Sequence, residues 1–150
     1  MIEHAFEIQL VIPDNEAYTA LTTLKRLDVP CDQVVRSDVH VFGAEDDVDA
    51  GELARLLMTI ATIYNPNKHR LRALDAPRPK PGEAWIASSE IPQVREHVQV
   101  GGVELKGVRT AWRATSWRLL DRAGNTVPAE VLGRAVETLL CNPAFQRAIT

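Results

Sequence analysis

A leucine-rich helical stretch that ends at Tyr64-Asn65-Pro66 returns, 77 residues further on, as one that ends at Cys141-Asn142-Pro143. At the same offset, without a gap, Arg36 falls on Arg113 and Arg70 falls on Arg147. Asn-Pro is a common way to leave a helix, so one match alone would say little. Four identities at one offset, at equivalent points of two similar element patterns, predict two copies of one α+β unit of about 75 residues. A duplicated small unit of this kind points toward assembly rather than toward an active site.

The local patterns fill in the units. Phe6–Ile12 is rich in β-formers and predicts a strand. Pro13-Asp14-Asn15 ends it and offers a helix cap. Ala17, Ala20, Leu21, Leu24 and Leu27 then recur at helical spacing over Glu16–Leu27. Gln33–Phe42 predicts a strand, or two short ones broken near Ser37-Asp38, with Val39 and Val41 on one face and Asp38, His40 and Phe42 on the other. Gly51–Tyr64 predicts a second helix, and His69–Leu74 a closing strand. The order is strand, helix, one strand or two, helix, strand; with two it is that of a ferredoxin-like (split βαβ) unit, with an antiparallel sheet and helices on one face.

Asp75–Gly82 carries three prolines and a glycine and reads as a stiff linker. The expected organisation is therefore a first unit over 1–75, a linker over 76–82, and a diverged second unit over 83–150 packed on the first. The second opens with a strand at Glu83–Ser88. The repeat offset asks for a helix over Gln93–Val103, but His97–Leu105 alternates and turns at Gly101-Gly102, so local chemistry favours a hairpin there. Val108–Leu120 predicts a long strand anchored by Trp112 and Trp117, Pro128–Leu140 a helix, and Ala144–Ile149 a short last strand or tail.

With this pattern on view, the first unit resembles the small PurS-type subunit of phosphoribosylformylglycinamidine synthase. The likeness rests on Val35-Arg36 opening the second strand, and on Asn65-Pro66 between the last helix and the closing strand, met again as Asn142-Pro143. It covers roughly residues 5–74 and part of 128–149. The resemblance implies a non-catalytic role, in which two small subunits pair through their sheets and bridge glutaminase and synthetase subunits. A tandem fusion would put that dimer in one chain, with protein partners or a second copy of itself as its ligands.

The chemistry-bearing residues are sparse. His4, His40, His69 and His97 show no metal-ligand spacing, and His40 reads as a sheet-face histidine rather than a ligand. Cys31 and Cys141, 110 residues apart, read as reduced core thiols. The run Glu45-Asp46-Asp47-Val48-Asp49 lacks calcium-loop spacing and reads as a solvated loop that charges the start of the next helix. Arg109, Arg113 and Arg118 accompany the two tryptophans on the long strand, which reads first as a core strand with a basic outer face and is also the best surface-site candidate. No phosphate-binding loop, nucleophile elbow or paired-cysteine motif is present. No cofactor is therefore called for.

Charge refines the partner question. Residues 1–75 carry 13 acidic and 7 basic side chains, and residues 76–150 carry 7 acidic and 10 basic ones. That asymmetry suits docking between oppositely charged surfaces but is too weak for a nucleic-acid face. No apolar run approaches the roughly 20 residues of a membrane span, and the acidic N-terminus is unlike a signal peptide, so a cytoplasmic chain is expected. The leading expectation is a PurS-like interaction subunit. The alternative is a small-molecule domain or enzyme in which Arg36, His40, Arg113 and Trp117 line a pocket for an anionic ligand between the two units.

Overall fold

The computed structural model describes all 150 residues. Its elements are β1 (Ile2–Leu10), α1 (Asn15–Arg26), β2 (Gln33–Ala44), α2 (Ala50–Leu57), β3 (His69–Ala73), β4 (Glu83–Ser88), β5 (Gln99–Val100), β6 (Val103–Glu104), β7 (Val108–Leu120), α3 (Ala129–Ala135) and β8 (Gln146–Ile149). α3 runs on into a π-helical turn, Val136–Leu140. Six strands form one antiparallel sheet in the order β3-β1-β2-β7-β4-β8, and β5 and β6 form a separate hairpin. The protein is thus α+β, as the patterning predicts. β2 is one continuous strand, so residues 1–75 supply three strands to the sheet, not the four of a split βαβ unit.

Most elements form where their side chains dictate. Asp14 caps α1, its Oδ1 accepting from the backbone N–H of Glu16 (3.0 Å) and of Ala17 (3.1 Å). Asp49 caps α2 by accepting from the N–H of Glu52 at 2.9 Å. The hairpin turns at Gly101 and Gly102, whose φ angles of 56° and 79° are the left-handed pair of a tight two-residue turn. A Cβ at Gly101 would also lie 2.6 Å from Ile60 Cγ2, so this corner admits only glycine.

Two boundaries move. β1 begins at Ile2 rather than Phe6, because Glu3 and His4 pair across to Gly43 and Phe42 despite their polarity. α2 stops at Leu57, where the predicted helix ran on to Tyr64. The β-branched stretch Thr59-Ile60-Ala61-Thr62-Ile63 follows. There the chain tightens into turns that bond three residues back, Thr59 to Leu56 and Ile63 to Ile60. The tightening still turns Ile60 and Ile63 into the core.

The chain condenses into two compact units that are not its two sequence halves. One holds Met1–Ile12, Asp38–Pro77 and Ile91–Arg113, and the other holds Pro13–Ser37, Arg78–Glu90 and Ala114–Thr150. The first is built on Phe6, Ile8, Phe42, Leu53, Leu57, Ile60 and Ile63, covered by Val98 and Leu105 of the hairpin segment. The second is built on Ala17, Ala20 and Leu24 of α1, packed with Ala84, Ile86, Leu119, Leu132, Ala135 and Leu140. Each fully buried Leu or Phe contributes about 1.5–3 kcal/mol, so each unit has a core of its own.

The 77-residue offset has counterparts in the backbone. Asn65 N–H donates to Nδ1 of His69 (2.9 Å), and Asn142 N–H donates to Oε1 of Gln146 (2.8 Å). Asn65 Oδ1 accepts from Asn67 N–H (2.9 Å), and Asn142 Oδ1 accepts from Ala144 N–H (3.0 Å). The Asn65 carbonyl accepts from His69 N–H and the Asn142 carbonyl from Gln146 N–H, both at 2.8 Å. Strand registers recur as well. Ile8 lies opposite Asp38 and Leu71, while Ile86 lies opposite Thr115 and Ala148. β4 therefore follows β1 at an offset of 78, one more than the 77 that relates β7 to β2 and β8 to β3.

Candidate functional site

Arg36 stands on β2 and reaches the start of α1. Its Nε and Nη2 meet Asp14 Oδ2 and Oδ1 at 3.1 and 3.2 Å, and its Nη1 meets Glu16 Oε2 at 3.0 Å. The Arg36 and Asp14 side chains are only 17% and 15% exposed. Asp14 thus serves two purposes, capping the helix and neutralising the arginine. The forked, charge-assisted pair makes Arg36 a fastener between strand and helix.

His40 sits on β2 beside Phe42, ring centroids 6.3 Å apart and nearly parallel. It is buried, and burial pulls its pKa down to about 4, helped by the positive charge of Arg113 and opposed by Asp38. At neutral pH it is an uncharged ring. Arg113 is exposed on β7 and close enough for its charge to act on His40, so the structure brings these two predicted residues together. Trp117 lies opposite Ala84 in the β4–β7 pairing and rests half-buried on the cluster of Ala84, Ile86 and Leu119. Trp112 is half-buried too.

Other charged residues are held in place. Arg109 binds Glu45 Oε1 through Nε and Nη2, each at 3.0 Å, and donates through Nη1 to the Glu96 carbonyl. That ties the start of β7 to the acidic loop and to the hairpin segment. Asp46 faces the N-terminal amine at 3.5 Å, and Asp49 is spent as a cap. Cys31 and Cys141 are free thiols in the second unit, and burial raises the Cys31 pKa, which keeps it protonated and a poor nucleophile. Within either unit, no three His, Cys, Asp or Glu side chains gather where they could hold a metal ion. No helix is long and apolar enough to cross a membrane.

The contrast between Arg36 and Arg113 gives a direct test. Arg36→Met leaves the mostly buried Asp14 carboxylate without its counter-charge, and is expected to cost about 2 kcal/mol in urea unfolding. Arg113→Met, at the repeat-equivalent position, should change stability by less than about 0.5 kcal/mol. Equal effects at both positions would remove the fastener role of Arg36.

The Asn-Pro identities mark the turns at Asn65 and Asn142, but not the side chains that close them. The side chain that closes each turn is His69 in one and Gln146 in the other, two acceptors of different identity four residues after an Asn. No protein-family model matches the chain, and no curated protein matches it at a significant level.

Proposed function

We propose that this chain is a non-catalytic interaction subunit, PurS-like, in which two related α+β units have been fused and which bridges partner proteins. The observation that carries the reading is the recurrence of the Asn-Pro turn with its hydrogen bonds at an offset of 77, together with strand registers that recur at 77 for β2 and β3 and at 78 for β1. The bond from each Asn side chain to the N–H two residues on is a local habit of Asn; what the two turns share beyond it is an acceptor side chain four residues later that takes the Asn N–H. In the second copy the counterpart of α1 has become the hairpin segment. The ionisable groups support the non-catalytic part of the proposal. His40 is neutral at physiological pH, Cys31 is protonated, and Arg36 is spent in an ion pair. None is poised as an acid, base or nucleophile.

The resemblance to the PurS family supplies the partner class, namely the glutaminase and synthetase subunits of phosphoribosylformylglycinamidine synthase. The tagged full chain is expected to co-purify with both when co-expressed with them. Failure to capture either folded subunit ends the PurS-like assignment. A thermal shift with purine-pathway nucleotides, in place of capture, would move the reading to ligand binding around His40 and Arg113.

A further inference from the structure

β3 is the end strand of the sheet, and its outer edge has a definite hydrogen-bonding pattern. Val11 N–H donates to the Lys68 carbonyl, and Leu74 N–H donates to the Ala5 carbonyl, both at 2.8 Å. The register between them runs Leu10 opposite His69 to Phe6 opposite Ala73. Inward and outward residues alternate along an antiparallel ladder. Lys68, Arg70, Arg72 and Leu74 therefore turn their backbone groups toward β1, and His69, Leu71 and Ala73 turn theirs outward. The His69 N–H is taken by the Asn65 carbonyl. The N–H and C=O groups of Leu71 and Ala73 have no strand beyond them.

The side chains on this edge are of two kinds. Arg70 and Arg72 share one face of β3, both exposed, and only Arg72 has a counter-charge, Glu7 at 2.9 Å. On the other face Leu71 is half-buried against the core. Three of the seven basic side chains in residues 1–75, namely Lys68, Arg70 and Arg72, fall within residues 68–72. The edge is thus a short basic strip in an acidic half of the sequence. Arginines on an edge commonly serve to repel another edge of the same charge. That role is compatible with this strip, and it selects the opposite charge in a partner.

We propose that β3 receives an extended segment of a partner protein as an added strand, in which acidic residues alternate with apolar ones. The acids would face Arg70 and Arg72, the apolar residues would extend the Leu71 face, and the backbone would bond to Leu71 and Ala73. The proposal rests on the reading of the chain as an interaction subunit and names the chemistry of its partner.

The test uses the full chain and a fluorescein-labelled peptide of alternating glutamate and valine, read by anisotropy. A peptide of alternating glutamate and proline keeps the charge but has no N–H at the positions that would face Leu71 and Ala73. Saturable binding of the first and not of the second is expected, with shifts of the Leu71 and Ala73 amide resonances. Arg70→Glu should weaken binding about tenfold through charge reversal at one contact. Ala73→Pro, which removes an outward N–H and no bond to β1, should abolish it. Absence of binding, equal binding of the proline peptide, or unchanged affinity in both variants would overturn the proposal. Peptide binding without capture of the synthase subunits removes those partners and leaves the edge site standing. Capture without peptide binding does the reverse.

Discussion

Replacing Gly43 by alanine is expected to destabilise the protein by about 3 kcal/mol, the sum of an overpacking term and an unpaired buried donor. Gly43 lies on β2 opposite Glu3, and its N–H donates to Thr110 Oγ1 at 3.1 Å in a buried setting. A Cβ there would stand 2.2 Å from that same oxygen. Thr110 is only 9% exposed and has little room to turn aside. If it does turn, the Gly43 N–H loses its acceptor, so the steric and the polar penalties arrive together. Thr110→Ala alone removes only the acceptor and should cost about 1–2 kcal/mol. The double variant has space for the Cβ but still lacks the acceptor, so it should recover roughly half of the Gly43→Ala loss, a coupling of about 3 kcal/mol. Urea unfolding of the four proteins measures the cycle. Strict additivity would show that the two residues do not share this contact.

How much of this was visible in the residues differs from element to element. α1 was legible because Asp14 marks its start and Ala17, Ala20 and Leu24 mark its buried stripe. The hairpin was legible because Gly101-Gly102 allows one kind of turn. What patterning cannot give is the identity of the covering element. The stripe on α1 shows that the helix is covered, but not that its cover is Ala84, Ile86 and Leu132 from beyond residue 80. The interleaving of the two compact units was hidden for that reason. A similar limit applies to the candidate residues. Arg36 and Arg113 are equivalent by offset, yet only Arg36 has acids to bind, since the positions of Asp14 and Glu16 are occupied 77 residues later by Ile91 and Gln93. β1 and β4 share a single identity in their paired register, Ile8 with Ile86, and it lies at an offset of 78 that the matches at 77 do not reveal.

Acid should weaken the fold through His40, and the effect should vanish when that ring cannot titrate. In the unfolded chain His40 has the ordinary value near 6.5, while in the folded protein it is held at about 4. Between those values the unfolded chain takes up a proton that the folded protein refuses, so stability falls as pH drops through 6.5 and levels off below about 4. The full difference corresponds to about 3 kcal/mol, at 1.36 kcal/mol for each tenfold change in proton affinity. Burial against Phe42 is the first cause, the charge of Arg113 on β7 the second, and Asp38 on the same strand acts against both. His40→Phe keeps a ring beside Phe42 and removes the titration. Its stability at pH 7 should lie within about 1 kcal/mol of the parent, since burying an aromatic ring replaces burying a neutral imidazole. At pH 4.5 it should exceed the parent by about 2–3 kcal/mol. Carboxylates titrate over the same range in both proteins, so the difference between the two urea curves isolates His40. Arg113→Gln should move the histidine partway back toward its ordinary value and shrink that difference without abolishing it. A difference that stays flat from pH 7 to 4.5 would show that His40 gains its proton in the folded protein as readily as in the unfolded one.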